Sequence, residues 1–327
     1  MSTTAQYMLL TITVILASLA GGYVARKRSL LSQRVAEALM TFVAVFGYTA
    51  VSFLTIWVLE APRLSDALLP VMGGMHWMMM AGLSILTART LKMDFENRGV
   101  LGVTGGAGNT GFTMGGFIIY LLAGEQGLAL VSIYCLCWTP MIVLFLYPVA
   151  RHYAHGPLRV SLGRLMLQSL LDWRSIGLPI SIVSLFLCVY KVPRPAIISE
   201  YRVVDVLMFV VTAMAYFSIG MRVHLGDLGR LAKMIFSLAA LRFAGGLAIA
   251  LGMLALLALT PWPLEGLRRD VFLIESFVPT AVIGVAVCSM FHLRPRSASV
   301  LFLVNTVMYL VLVLPIVMWV FGRVYGQ

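Results

Sequence analysis

Ten apolar stretches, each close to the length of a bilayer crossing, constrain this chain more than any other feature. They are Tyr7–Val24, Val35–Leu59, Leu68–Ala88, Val100–Ala123, Gly127–Ala150, Ile176–Tyr190, Val203–Val223, Met234–Leu259, Val271–Leu293 and Val300–Val320. A spanning helix needs about 20 mostly apolar residues. Of the 327 residues, 61% are hydrophobic and only 11% charged, against about a quarter charged in soluble domains. The class is an all-α polytopic membrane protein, with the lipid bilayer as its first partner.

The net charge of +11 suggests nucleic acid only if the membrane is ignored. In a polytopic protein it reflects Lys and Arg kept in cytoplasmic loops, so no nucleic-acid partner is expected. With the N-terminus placed outside, the inner loops hold sixteen Lys/Arg and the outer segments seven, leaving Arg242 inside a helix. This bias predicts ten crossings with both termini outside, in a bacterial-type inner or plasma membrane. Tyr7–Val24 is followed, not preceded, by Arg26-Lys27-Arg28, the reverse of a cleaved signal. Cys135, Cys137, Cys188 and Cys288 lie in apolar runs without metal-ligand or disulfide-framework spacing, as packing residues do.

The longest inner connection, 151–175, sets Leu158, Leu162, Leu165, Met166, Leu170 and Leu171 among Arg159, Arg164 and Arg174. That pattern suits an amphipathic helix lying on the cytoplasmic face. It divides the chain into a first five-helix repeat, 1–150, and a second, 176–327. Because five is odd, the second half enters the membrane from the opposite side, and a duplication would be an inverted repeat, as in many secondary transporters.

The fourth segment carries six glycines, an Asn and two Thr between Gly105 and Gly116. Each glycine weakens a helix by about 1 kcal/mol relative to alanine. Freed backbone groups at membrane depth persist only in protein or along a cavity. The matching ninth segment carries Pro279, with Ser276 and Gly284 nearby, and proline removes an intrahelical bond. Interrupted helices at corresponding positions of two halves point to a transporter site. The plainer alternative is two ordinary membrane helices, one with small-residue packing and one with a proline kink.

Several short runs resemble the auxin efflux carrier family of membrane permeases. They are Gly108-Asn109-Thr110-Gly111-Phe112, the turn Ala123-Gly124-Glu125-Gln126-Gly127-Leu128-Ala129, Tyr216-Phe217-Ser218-Ile219-Gly220-Met221, Val278-Pro279-Thr280-Ala281-Val282, and the pattern from Met290-Phe291-His292 through Ala298-Ser299 to Thr306 and Pro315. The resemblance implies two inverted five-helix halves whose fourth and ninth helices cross at their broken centres. It also implies carriage of auxin or small carboxylates such as malonate. The wider superfamily includes bile acid–sodium symporters. Two departures stand out. The family's fourth-helix proline is replaced near Gly115-Gly116, which predicts a softer or displaced break, at Asn109 or at Gly115-Gly116, and a position often polar is Ile283 here.

A broken helix offers free N–H groups to an anion at one half-helix start and carbonyls to a cation at the other half's end. The candidate substrate-binding set is Gly108, Asn109, Thr110, Gly111, Gly115, Gly116, Pro279, Thr280 and Ile283. Asn109 either holds the polar end of a substrate or caps the broken helix. Glu275 is a candidate for ion coupling or for pairing with Arg268 or Arg269. Asn305 and His76 are further coupling candidates, each with a packing or helix-bonding alternative. Arg242, about 12 Å deep at 1.5 Å per residue, either attracts an anion or snorkels to the inner interface. A direct Arg242–Glu275 pair is not expected from their estimated depths.

These features predict a secondary transporter of small organic anions working by alternating access, and not an enzyme. No cofactor is expected, and coupling to H+ or Na+ is open. The alternatives are a sodium-coupled carrier like the bile acid symporters, or a non-transporting sensor or scaffold on the same fold. A second copy of the chain, forming a homodimer, is a further candidate partner.

Overall fold

The computed structural model describes residues 3–60, 63–155, 176–222 and 228–325, together with 167 and 171. Their regular elements are helical: α1 Thr3–Lys27, α2 Gln33–Ile56, α3 Leu64–Thr90, α4 Phe95–Gly106, α5 Gly115–Ala154, α6 Gly177–Val189, α7 Val203–Gly220, α8 Leu228–Leu257, α9 Gly266–Ser276, α10 Val282–Met290 and α11 Pro295–Val324. Seven of these (α1, α2, α3, α5, α7, α8 and α11) are long and apolar enough to cross a membrane. The expected amphipathic connector, 151–175, lies mostly outside the described residues.

Local chemistry sets several of the boundaries. Asp94 caps α4, its carboxylate accepting the Asn97 N–H at 2.9 Å, which satisfies one of the orphan donors of a helix start. Pro295 opens α11 at its first position, where a missing N–H costs nothing. Within α5, Gly124 has φ 62° and divides the helix at a kink. Single π-helical turns interrupt α2 at Val43–Gly47, α5 at Ile142–Leu146, α8 at Ala240–Gly245 and α11 at Tyr309–Val313. Such turns insert one residue and re-aim the side chains around them.

The helices pack in two groups. α1 and α2 lie against α7, and α2 also lies against α6. Gly22 and Gly220 let the α1 and α7 backbones touch, since a Cβ on either would strike a carbonyl of the other helix. Small residues serve this purpose in membranes, where lipid tails are as apolar as leucine and only close packing favours association. In the second group α3 lies against α4 and α8, and α11 against α8 and α10. α5 bridges the groups, touching α2 on one side and α9 on the other.

Of the two places open for the fourth-segment break, it lies at Asn109: the chain leaves the helix over 107–114, and Gly115 is the first residue of α5. A Cβ on Gly116 would meet the Gly111 carbonyl group at 2.7 Å. The glycine pair therefore gives the returning chain room, and the opening itself is made upstream.

Candidate functional site

The helix breaks meet each other. Between α4 and α5 the chain runs through 107–114, with a single 3-10 turn at Gly111–Thr113. Between α9 and α10 it runs through 277–281. Gly108 and Thr280 form an antiparallel bridge. The Asn109 N–H donates to the Pro279 carbonyl at 2.6 Å, and the Ala281 N–H to the Ala107 carbonyl at 2.8 Å. Backbone groups released by one break are thus satisfied by the other, as a water-poor interior demands. The Thr280 hydroxyl donates to the Thr104 carbonyl at 2.5 Å, and the Thr280 N–H donates to Asn305 Oδ1 at 2.8 Å. Thr280 and Asn305 therefore anchor the junction.

A buried ionisable side chain lies against the backbone on each side of the junction. The Arg242 guanidinium, carried on the π turn of α8, is fully buried. Its Nε donates to the Val278 carbonyl at 3.0 Å and its Nη1 to that of Gly105 at 3.1 Å. Its Nη2 reaches the carbonyls of Val278 at 2.8 Å and Ser276 at 3.3 Å. Snorkelling to the interface is overturned: the side chain is consumed by carbonyls at the ends of α4 and α9, and lines neither cavity described below. The Glu275 carboxylate, also fully buried, accepts the Gly111 N–H at 3.0 and 3.1 Å just ahead of α5. The carboxyl group also lies against Gly115, the first residue of α5. The alternative pairing of Glu275 is overturned too, since Arg268 bonds Asp66 and Arg269 bonds Asp270. As expected, no ion pair among the described residues joins Arg242 to Glu275.

Two glycines make room for these side chains. A Cβ on Gly108 would fall on Arg242 Nη2, and one on Gly115 would fall on the Glu275 carboxylate. Asn109 is occupied within the protein: its Nδ2 donates to the Tyr216 hydroxyl at 3.1 Å and its Oδ1 accepts from Thr113 at 2.5 Å. Thr110 accepts the Trp138 indole N–H at 2.9 Å, and Gly111, at φ 73°, packs under that ring. His76 lies apart in α3, its Nε2 3.1 Å from the Gly246 carbonyl and its ring edge-on to Phe272. That is its packing alternative.

Two cavities adjoin the junction. One, of about 370 Å³, is lined by Gly108, Asn109, Thr110 and Ile283 together with Tyr48, Phe112 and Trp138. These three rings lie 5.1–6.5 Å apart and form an aromatic wall. The other, of about 530 Å³, is lined by Arg26, Glu37, Arg222 and Arg296. Arg222, Val282 and Ala286 border both. Burial lowers the pKa of the Arg222 guanidinium, while the Glu37 carboxylate opposes that shift. The Val282 and Ile283 N–H groups, at the start of α10, have no partner among the described residues. Sequence reasoning did not single out the three arginines, which sit in the last turn of α1, just after α7 and in the first turn of α11, and share no motif. It also missed Tyr216, although Tyr216-Phe217-Ser218-Ile219-Gly220-Met221 is one of the runs that carry the family resemblance.

No curated protein matches the chain. A family model described as membrane transport protein matches residues 7–320, so the whole junction and both helix groups fall within it. The chain is therefore an integral membrane protein and belongs to this transporter family, that of the auxin efflux carriers.

Proposed function

We propose that the chain is a secondary carrier of small organic anions with an apolar body, carboxylates above all, working by alternating access. The observation that carries this reading is the start of α10. Its Val282 and Ile283 N–H groups are unpartnered among the described residues, and Val282 borders both cavities. A helix start with free N–H groups favours an anion without burying a cationic side chain beside it. The Tyr48, Phe112 and Trp138 wall of the adjoining cavity suits the apolar part of the same molecule. Its 370 Å³ fits a small ligand. Arg26, Arg222 and Arg296, against Glu37 alone, give the second cavity a positive balance that raises the local concentration of anions.

The transmembrane arrangement is read as ten crossings in two inverted halves. α5 has 40 residues, about 60 Å at 1.5 Å per residue, twice the roughly 30 Å core. Its kink at Gly124 then serves as a turn between two crossings. The fourth crossing is α4 with the first part of α5, and the ninth is α9 with α10. The π turns at Ile142–Leu146 and Tyr309–Val313 then fall in the fifth and tenth crossings, corresponding positions that support a repeat. The Lys/Arg-rich loops place the arginine-lined cavity on the cytoplasmic side. α1, α2, α6 and α7 act as the scaffold, against which the group carrying the junction moves.

The test is flux into proteoliposomes with a panel of carboxylates and their neutral amides, varying pH and sodium separately. At least one carboxylate should move and its amide should not. A folded protein that moves and binds none of the panel overturns the reading.

A further inference from the structure

The carbonyls at the junction form a cradle of the kind that holds a small cation. Gly105 and Ser276 lie at the C-terminal ends of α4 and α9, and Val278 lies in the second break. Carbonyls there carry the negative end of each half-helix dipole. In carriers with broken helices such carbonyls coordinate the coupling sodium. Here the position is filled from within the chain. Arg242 sends Nε, Nη1 and Nη2 to these three carbonyls over 2.8–3.3 Å.

We propose that the Arg242 guanidinium is a resident cation, fixed in the carbonyl cradle where an exchangeable sodium ion would otherwise bind, so that this junction works without sodium. Three observations besides the hydrogen bonds carry this. No carboxylate forms an ion pair with Arg242 among the described residues. Its hydrogen-bond partners are all carbonyl oxygens, as for a bound metal cation. Gly108 has no side chain at the one place where a Cβ would strike Nη2, so the backbone of the first break is shaped around the guanidinium. Arg242 also lies on a π turn, Ala240–Gly245, a local departure from regular helix that re-aims side chains.

The physical consequence is a change of coupling. A sodium ion can leave the cradle during a cycle and carry its charge across. A side chain anchored to α8 cannot, and it keeps the two carbonyl ends neutralised in every state. The residues present do not fit sodium at this place, because its ligands are already spent on five-donor guanidinium geometry. Arg242 is thus a positioning residue. It acts through the backbone of both breaks and does not touch the substrate.

The experiment measures thermal unfolding of the purified full-length protein in sodium and in choline buffers, for wild type, Arg242→Ala and Arg242→Lys. Wild type should unfold at the same temperature in both. Arg242→Ala should unfold earlier, by about 5 °C or more, because the cradle loses its charge. Millimolar guanidinium, well below denaturing levels, should restore stability in a saturable way by binding the folded state, whereas equimolar urea should not. If Arg242→Ala does not fold, guanidinium added during expression and purification should recover it. Arg242→Lys keeps the charge without the fork and should fold with intermediate stability. A saturable sodium stabilisation of wild type that Arg242→Lys abolishes would overturn the inference. So would an alanine variant that ignores guanidinium in both settings.

A flux arm, which alone rests on the carrier reading, compares carboxylate transport in sodium and choline and expects rates equal within about twofold. Transport that requires sodium contradicts the inference. Absence of any carboxylate transport contradicts the carrier reading, and the unfolding data still decide the role of Arg242.

Discussion

The two breaks that meet at the centre of this molecule are built in different ways. The break between α9 and α10 is short and contains Pro279, which cannot donate to a helix. Its neighbour Thr280 is tied to Asn305 and Thr104, and Arg242 bonds the Val278 and Ser276 carbonyls beside it. The break between α4 and α5 is longer and has no proline. It stays open because other elements occupy it: Arg242 on the Gly105 carbonyl, Glu275 on the Gly111 N–H, and Trp138 on Thr110. Only the second break carries a proline as a local signal; both are held by tertiary contacts, since Arg242 also bonds Val278 and Ser276. The half-helix starts differ as well. α5 begins beside a protein carboxylate, whereas α10 begins at the shared edge of two cavities.

This difference ranks the effects of substitution. Gly115→Ala should be the most damaging change, because its Cβ falls on the buried Glu275 carboxylate. The clash, together with displacing that group from its N–H partner, should cost about 3–5 kcal/mol. Thermal unfolding of the purified variant reads this directly, and wild-type stability would mean that Glu275 does not hold the first break. Asn305→Ala should come next. It removes the acceptor of the Thr280 N–H, and an unsatisfied buried donor costs about 1–3 kcal/mol. Pro279→Ala should have the smallest effect, under about 1 kcal/mol. The flanking Thr280 and Ala281 N–H groups are already committed to Asn305 and Ala107, so the segment cannot simply wind into helix. If Pro279→Ala proves more damaging than Asn305→Ala, the ninth-segment break depends on its proline and not on its anchor.

The contrast also explains what the sequence made legible. Pro279 and the glycines from Gly105 to Gly116 announce broken helices because their effect on backbone is local. The positions of the charges could not be read in the same way. A depth of about 12 Å for Arg242 assumes a straight helix with 1.5 Å per residue. That assumption fails where a π turn redirects the side chain and two other helices stop short to receive it. Glu275 is similar: its natural partners by sequence distance were Arg268 and Arg269, but its actual partner is the Gly111 N–H, brought close only by tertiary folding. Asn109 was legible as a polar residue in an apolar span, but Tyr216 and Thr113, which take up its amide, were not. The arginines of the larger cavity were visible as charges flanking the apolar segments, while their convergence depends on how the ends of α1, α7 and α11 are arranged.

The claim most exposed to test is that the start of α10 receives a carried anion while the start of α5 is already occupied by Glu275. Val282→Cys, in a background with Cys135, Cys137, Cys188 and Cys288 replaced, places a thiol where both cavities meet. The rate at which a charged thiol reagent modifies it should fall about tenfold when a transported carboxylate is present at about ten times its Kd. The neutral amide of that carboxylate should leave the rate unchanged. A carboxylate that the protein transports but that does not slow modification at position 282 would contradict the account.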